Sequence, residues 1–184
     1  MSTVLDYFQL FDLAPTFELD AAALQPRYRE LQKQFHPDRF AAGPADVLRA
    51  AVQKAADINT AFSTLQDPVL RARHLLALAG RPLNIEASTV SDADFLMAQM
   101  ELREQLEEAD DFDALSSLRE EAQDWLASLG REFAIDYREQ DWAEAADSVR
   151  KMQFMSRFLD EVSDAEARLE DAEYENDDSL GDDD

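Results

Sequence analysis

Across one proline, at His36-Pro37-Asp38, this chain of 184 residues sets an imidazole beside a carboxylate. Such a pair could shuttle a proton, and a hydrolase using His36 and Asp38 is one reading of it. Proton transfer, however, needs both groups to converge with a nucleophile or a metal in a pocket, and two residues straddling a proline in a surface turn supply neither. The other use of the tripeptide is display. Pro37 disfavours helical dihedrals at His36 and has no backbone donor, so a helix ends at or just before His36 and Asp38 sits in a turn with its carboxylate directed outward. Four cations stand close by in sequence, Arg27, Arg29, Lys33 and Arg39. A loop offering a carboxylate amid positive charge suits docking better than catalysis.

The elements that must hold this loop are legible on either side. At about 100° per residue, Leu24, Tyr28, Leu31 and Phe35 share one face of the preceding helix while Arg29 and Lys33 take the opposite one. Pro26 falls inside that helix if it begins at Asp20, so the helix either kinks there or restarts with Pro26 in its first turn. After the loop, Gly43-Pro44 marks the entry to a helix carrying Leu48, Val52, Ala55, Phe62 and Leu65. Asp67-Pro68 then forms an N-cap and first-turn pair for a helix ending at Gly80.

Composition narrows the function classes. With no cysteine, disulfides, thiolate ligands and cysteine nucleophiles are excluded, and two histidines, His36 and His74, argue against a histidine-rich metal site. No cofactor is expected. His74 is expected at a helix surface or between domains, without a role. Net charge is -24, distributed unevenly: residues 1–78 carry 8 basic and 9 acidic side chains, leaving 9 basic and 32 acidic in the remainder. An acidic surface repels phosphate backbones and anionic lipid, which argues against nucleic acid and membranes as partners and for a basic protein partner of the second half. There is no apolar run long enough for a membrane span and no secretory signal pattern at the start, so a cytoplasmic protein is expected.

All six prolines fall by residue 82, so the second half reads as long helices, and the chain as all-α. Helices are expected from Ser91 or Asp92 to about Asp110, then through Leu115, Leu118, Ala122, Trp125, Leu129 and Phe133 to about Glu139, and from near Asp141 to about Leu169. In the last, Ala145, Met152 and Leu159 repeat every seven residues, as do Met155, Val162 and Leu169, which is a bundle seam. The helix around Phe95 is different. Phe95, Leu102 and Leu106 make one core stripe, whereas Leu96, Met97 and Met100 fall on the far side, interleaved with Glu101, Glu104 and Glu108. Such an apolar cluster marks either an interaction site or a helix packed on two sides. The segment from Asp171 combines acidic residues with Gly and Ser and is expected to be disordered.

Taken together, the run Tyr7, Phe8, Leu10, Phe11 and Leu13, the His36-Pro37-Asp38 loop, and the closing residues Ile58, Asn59, Ala61, Phe62, Leu65, Asp67 and Pro68 resemble a J domain, over roughly residues 4 to 78. The likeness continues through Arg71-Ala72-Arg73, the stretch from Leu75 to Gly80, the stretch from Phe95 to Glu104, and Val149 to Phe154, where the chain is similar to the HscB family of J-type co-chaperones of iron-sulfur cluster biogenesis. One departure is Asp12, where the family commonly has Gly after Leu-Phe. The resemblance implies an N-terminal J domain (1–80), a linker (81–90), a C-terminal three-helix bundle (91–170) and an acidic tail (171–184). It implies no enzyme but a stimulator of the ATPase of a DnaK/HscA-class chaperone, docked through His36, Pro37 and Asp38 with Arg27, Arg29, Lys33 and Arg39. It further implies that Leu96, Met97, Met100, Glu101, Glu104, Glu108 and Phe154 bind an IscU-type scaffold protein. A J protein of this shape with a different client would read identically in its first half.

Overall fold

Six helices begin on an aspartate, and this is where part of the chain's acidity is spent. The computed structural model describes residues 4–83 and 92–179, and every regular element among them is helical. The chain divides between Leu83 and Asn84 into two compact units. In the first, α1 (Tyr7–Leu10), α2 (Ala21–Phe35), a 3-10 turn (Pro37–Phe40), α3 (Ala45–Gln66) and α4 (Pro68–Leu78) follow one another; in the second, α5 (Ala93–Glu108), α6 (Phe112–Glu139) and α7 (Trp142–Ser179). Asp6, Asp20, Asp67, Asp92, Asp111 and Asp141 each accept a first-turn backbone N–H with a carboxylate oxygen, at 2.7 to 3.3 Å. Each such cap stabilises its helix by about 1 kcal/mol, and the carboxylate also complements the positive end of the helix dipole.

Three helices end alike. After α1, α4 and α6 a residue takes the left-handed conformation, Asp12 (φ 56°), Gly80 (φ 72°) and Gln140 (φ 62°). In each case the next N–H reaches back five residues, Leu13 to Phe8 (2.9 Å), Arg81 to Leu76 (2.8 Å) and Asp141 to Asp136 (2.9 Å). Only Gly80 adopts this conformation without steric cost. Asp12 thus does what its position in the sequence requires, despite not being glycine.

In the first unit α2 and α3 form an antiparallel pair across a core of Phe8, Phe11, Leu24, Leu31, Ala51, Ile58, Ala61, Leu65, Leu75 and Leu76. Tyr28 stacks on Phe62 at 4.1 Å between ring centroids and donates its hydroxyl to Asn59 Oδ1 at 2.9 Å. Val52 of α3 is exposed. Pro26 neither restarts α2 nor ends it: the helix runs through from its Asp20 cap. Both Pro26 and Ala22, whose carbonyl loses its partner, lie on the exposed side, so water can satisfy the orphaned oxygen. His74 is not a surface or interdomain residue as expected. It is buried in this unit, stacks on Tyr7 at 4.3 Å and accepts the Tyr7 N–H on Nε2 at 3.2 Å. Arg71, also buried, lays its guanidinium over Phe17 and donates to the Leu65 carbonyl at 2.7 Å, placing a cation at the negative end of α3.

The second unit is dominated by the antiparallel packing of α6 on α7, tied at one end by Arg119, which pairs with Glu166 and donates to Ser163 Oγ at 3.1 Å. The α7 seam is Ala145, Val149, Met152, Met155, Phe158 and Val162; Phe158 takes the fully buried place, and the expected Leu159 is only half-buried. One correction concerns the C-terminus. α7 continues to Ser179, so the part of the 171–184 segment up to that point is helical rather than disordered; residues 180–184 lie outside those described, as do residues 84–90 of the expected linker. Once a helix is nucleated each further residue is inexpensive to add, and no Gly or Pro interrupts α7 before Gly181.

Candidate functional site

The loop is built by α2 ending where it must. His36 leaves the helix with extended dihedrals (φ -61°, ψ 127°), as the residue before a proline does, and Pro37 opens the 3-10 turn. His36 Nδ1 accepts the Asp38 N–H at 3.3 Å, so the ring nitrogen nearest the carboxylate is engaged by backbone; Asp38 Oδ2 lies 3.6 Å from it. The Asp38 side chain is 89% exposed. Arg39 bends back and donates to the Lys33 carbonyl at 3.0 Å, satisfying one of the last acceptors of α2. Arg29, Gln32, Lys33, His36, Pro37 and Arg39 line one wall of an open cavity of about 740 Å³, whose other wall is Ala55 and Asn59 of α3.

Arg27 is not brought to this cavity. Two residues before Arg29 on the helix, it points about 200° away, and its guanidinium pairs with Asp12 and, at 3.0 Å, with Glu30. Asp12, which follows α1, thus provides this cation with its partner. Asn59 and Gln32 are cavity residues that the charge pattern overlooked. Both are uncharged; Gln32 adjoins Lys33 on α2, whereas Asn59 is distant in sequence and only the α2–α3 register puts it beside Lys33.

In the second unit α5 turns Phe95 and Leu102 inward and leaves Leu96, Met97 and Met100 exposed at 39%, 63% and 72%. Glu101, Glu104 and Glu108 are exposed as well. These six side chains therefore form a continuous apolar and acidic helix face. Phe154 of α7 is half-buried, packed edge-on against Phe95 at 5.8 Å with the Arg103 guanidinium over its ring at 5.8 Å. It supports α5 as much as it offers surface.

What orients α5 is an ion pair that sequence reasoning missed. Lys151 Nζ of α7 binds Asp92 Oδ2 at 2.7 Å and Asp147 Oδ2 at 3.1 Å, and lies over the Phe95 ring. The hydrogen bond from Lys151, with those from the backbone of Phe95 and Asp94, holds the Asp92 carboxyl below its usual range. Burial alone would lower the Lys151 ammonium, but its hydrogen bonds to Asp92 and Asp147 outweigh this and raise it. Asp92 thus caps α5 and pins it to α7 with the same carboxylate.

Known proteins share this architecture. The family model described as the HSCB C-terminal oligomerisation domain matches residues 91–163. A co-chaperone protein HscB homolog of Shewanella woodyi is 42% identical over 178 residues, covering 93% of this chain and 100% of its own, and one of Acinetobacter baumannii is 43% identical over 169 residues, covering 92% and 95%. The chain belongs to the HscB co-chaperone family. Among solved structures, the chaperone HscB from Vibrio cholerae superposes with a TM-score of 0.80 at 39% identity, covering 90% of this chain and 99% of that one. Human co-chaperone protein HscB does so with a TM-score of 0.81 at 27% identity, covering 89% and 83%. The fold is accordingly that of an HscB co-chaperone, an N-terminal J domain followed by a C-terminal helical domain. No helix among the described residues is long and apolar enough to cross a membrane.

Proposed function

We infer that this HscB-family co-chaperone is an adaptor for iron-sulfur cluster biogenesis, stimulating the ATPase of a DnaK/HscA-class chaperone with its first unit and delivering an IscU-type scaffold protein with its second. The observation that carries the reading is the exposure of Leu96, Met97 and Met100 on α5, in a chain that also presents the His36-Pro37-Asp38 loop. Arg29, Lys33 and Arg39 would meet an acidic surface of the chaperone, and the exposed Asp38 carboxylate would engage a basic group there. Charge of this kind speeds and orients encounter more than it adds affinity. The scaffold protein would cover the apolar patch, with its own cations opposite Glu101, Glu104 and Glu108. Holding both partners on one chain raises their effective concentration without any new contact between them.

A hydrolytic role for His36 and Asp38 finds no support in the loop. The cavity lining contains no hydroxyl or thiol, and His36 Nδ1 is occupied by the Asp38 N–H. Nucleotide hydrolysis in this reading is the chaperone's chemistry. Single-turnover ATP hydrolysis by the chaperone, with this chain and with or without the scaffold protein, tests it. We expect stimulation by the chain alone and a synergistic rise with scaffold. Asp38→Asn should abolish both while calorimetric scaffold binding persists, and full stimulation by that variant would remove the loop from the mechanism.

A further inference from the structure

The apolar part of the α5 face is carried largely by thioethers, and those thioethers are set apart from the buried ones of α7. The chain has no cysteine and five methionines. Met152 and Met155 are 0% exposed in the α7 seam, whereas Met97 and Met100 stand largely in solvent. Three residues apart on one helix, the exposed pair projects within about 60° of a common direction. We propose that Met97 and Met100 form a paired oxidation site, at which conversion to methionine sulfoxide by hydrogen peroxide turns the docking face polar and releases the scaffold protein.

The chemistry is self-contained once the oxidant is named. The thioether sulfur attacks one peroxide oxygen, an S–O bond forms as the O–O bond breaks, and sulfur gives up an electron pair. The departing hydroxide takes the proton of the transferred oxygen and leaves as water. Each side chain changes from a flexible apolar group to a polar one bearing a strong acceptor. On a face already carrying Glu101, Glu104 and Glu108, a new acceptor facing a buried interface goes unpaired. The inward stripe of Phe95 and Leu102 and the Asp92–Lys151 pair contain no sulfur, so the helix stays in place while its outer face changes. A methionine sulfoxide reductase reverses the step with a dithiol as reductant: the oxygen leaves as water, the dithiol is oxidised to a disulfide and the thioether is restored.

This inference rests on the docking role assigned to α5 above, and the test separates the two. The full chain is treated with hydrogen peroxide, the peroxide is removed with catalase, and peptide mapping by mass spectrometry follows each methionine while an IscU-type scaffold protein is titrated by calorimetry. Met97 and Met100 should each gain one oxygen well before Met152 and Met155 do, with unchanged circular dichroism. Scaffold affinity should fall at least about tenfold, as expected when a buried apolar side chain is lost from an interface, and return after treatment with methionine sulfoxide reductases. In Met97→Leu/Met100→Leu, whatever affinity it starts from, peroxide should change nothing. Undiminished binding by a chain shown to carry both sulfoxides, or oxidation of the four sites at equal rates in the folded chain, would overturn the oxidation site and leave the docking role standing. An untreated chain that does not bind the scaffold would overturn the docking role itself, and the release with it.

Discussion

Single side chains here serve two masters more often than their types suggest. Arg39 belongs to the loop yet satisfies a carbonyl of α2, and Arg27, one of four neighbouring cations in sequence, is withdrawn by Asp12 and Glu30. His74 is the sharper case. Burial lowers its pKa from the ordinary 6.5, against a smaller opposing pull from Asp6, and its Nε2 is the acceptor for the Tyr7 N–H. The unfolded chain therefore binds a proton that the folded one refuses. Stability should be whole above about pH 6.5 and decline as pH falls from there toward the depressed folded value. Native-state hydrogen exchange of the α1 and α4 amides between pH 7.5 and 5 measures this, and in His74→Gln the dependence should flatten. No sequence pattern marked His74, because a lone histidine on an apolar helix gives no sign of which backbone donor will face it.

At the scale of elements, aspartate caps start six of the helices, α3 excepted, and left-handed residues end three. Gln140 is the expensive one, a side chain with a Cβ held at φ 62° between two long helices. Gln140→Gly should stabilise the second unit by about 0.5–1 kcal/mol, the relief of left-handed strain less the entropy glycine loses on folding. Trp125 and Trp142, the only two tryptophans, both lie in that unit, so denaturation followed by tryptophan fluorescence reports on it alone. Most element boundaries were legible because caps, prolines and apolar periodicity agree there. The two that were not have physical reasons. Pro26 sits on an exposed face where a lost hydrogen bond is forgiven, and α7 outruns its own packing seam because propagation does not need tertiary contacts at every residue.

For the molecule as a whole, the charge asymmetry read from composition follows the two units, a cation-lined loop in one and an apolar, acidic face in the other. The functional reading requires these to act separately on one chain. Leu96→Ala/Met100→Ala should lower scaffold affinity at least about tenfold, by the apolar area removed, and should eliminate the scaffold-dependent rise in chaperone ATP turnover while basal stimulation remains. Phe154 is left intact in that variant, since its ring packs on Phe95 and its truncation would confound binding with loss of core. Calorimetry paired with the single-turnover assay decides the matter.

By itself the sequence determined the helical class, the loop, its basic helix, and the separation of α5 into an inward stripe and an outward cluster, since each depends only on local periodicity and on what proline and aspartate do to neighbouring backbone. Tertiary structure decided the rest. Which cations share a cavity with His36, which histidine is buried, how Lys151 pins α5, and whether Leu96, Met97 and Met100 meet water all depend on which residues distant in sequence come within a few ångströms. Helical periodicity assigns a residue to a face; only packing determines what that face meets.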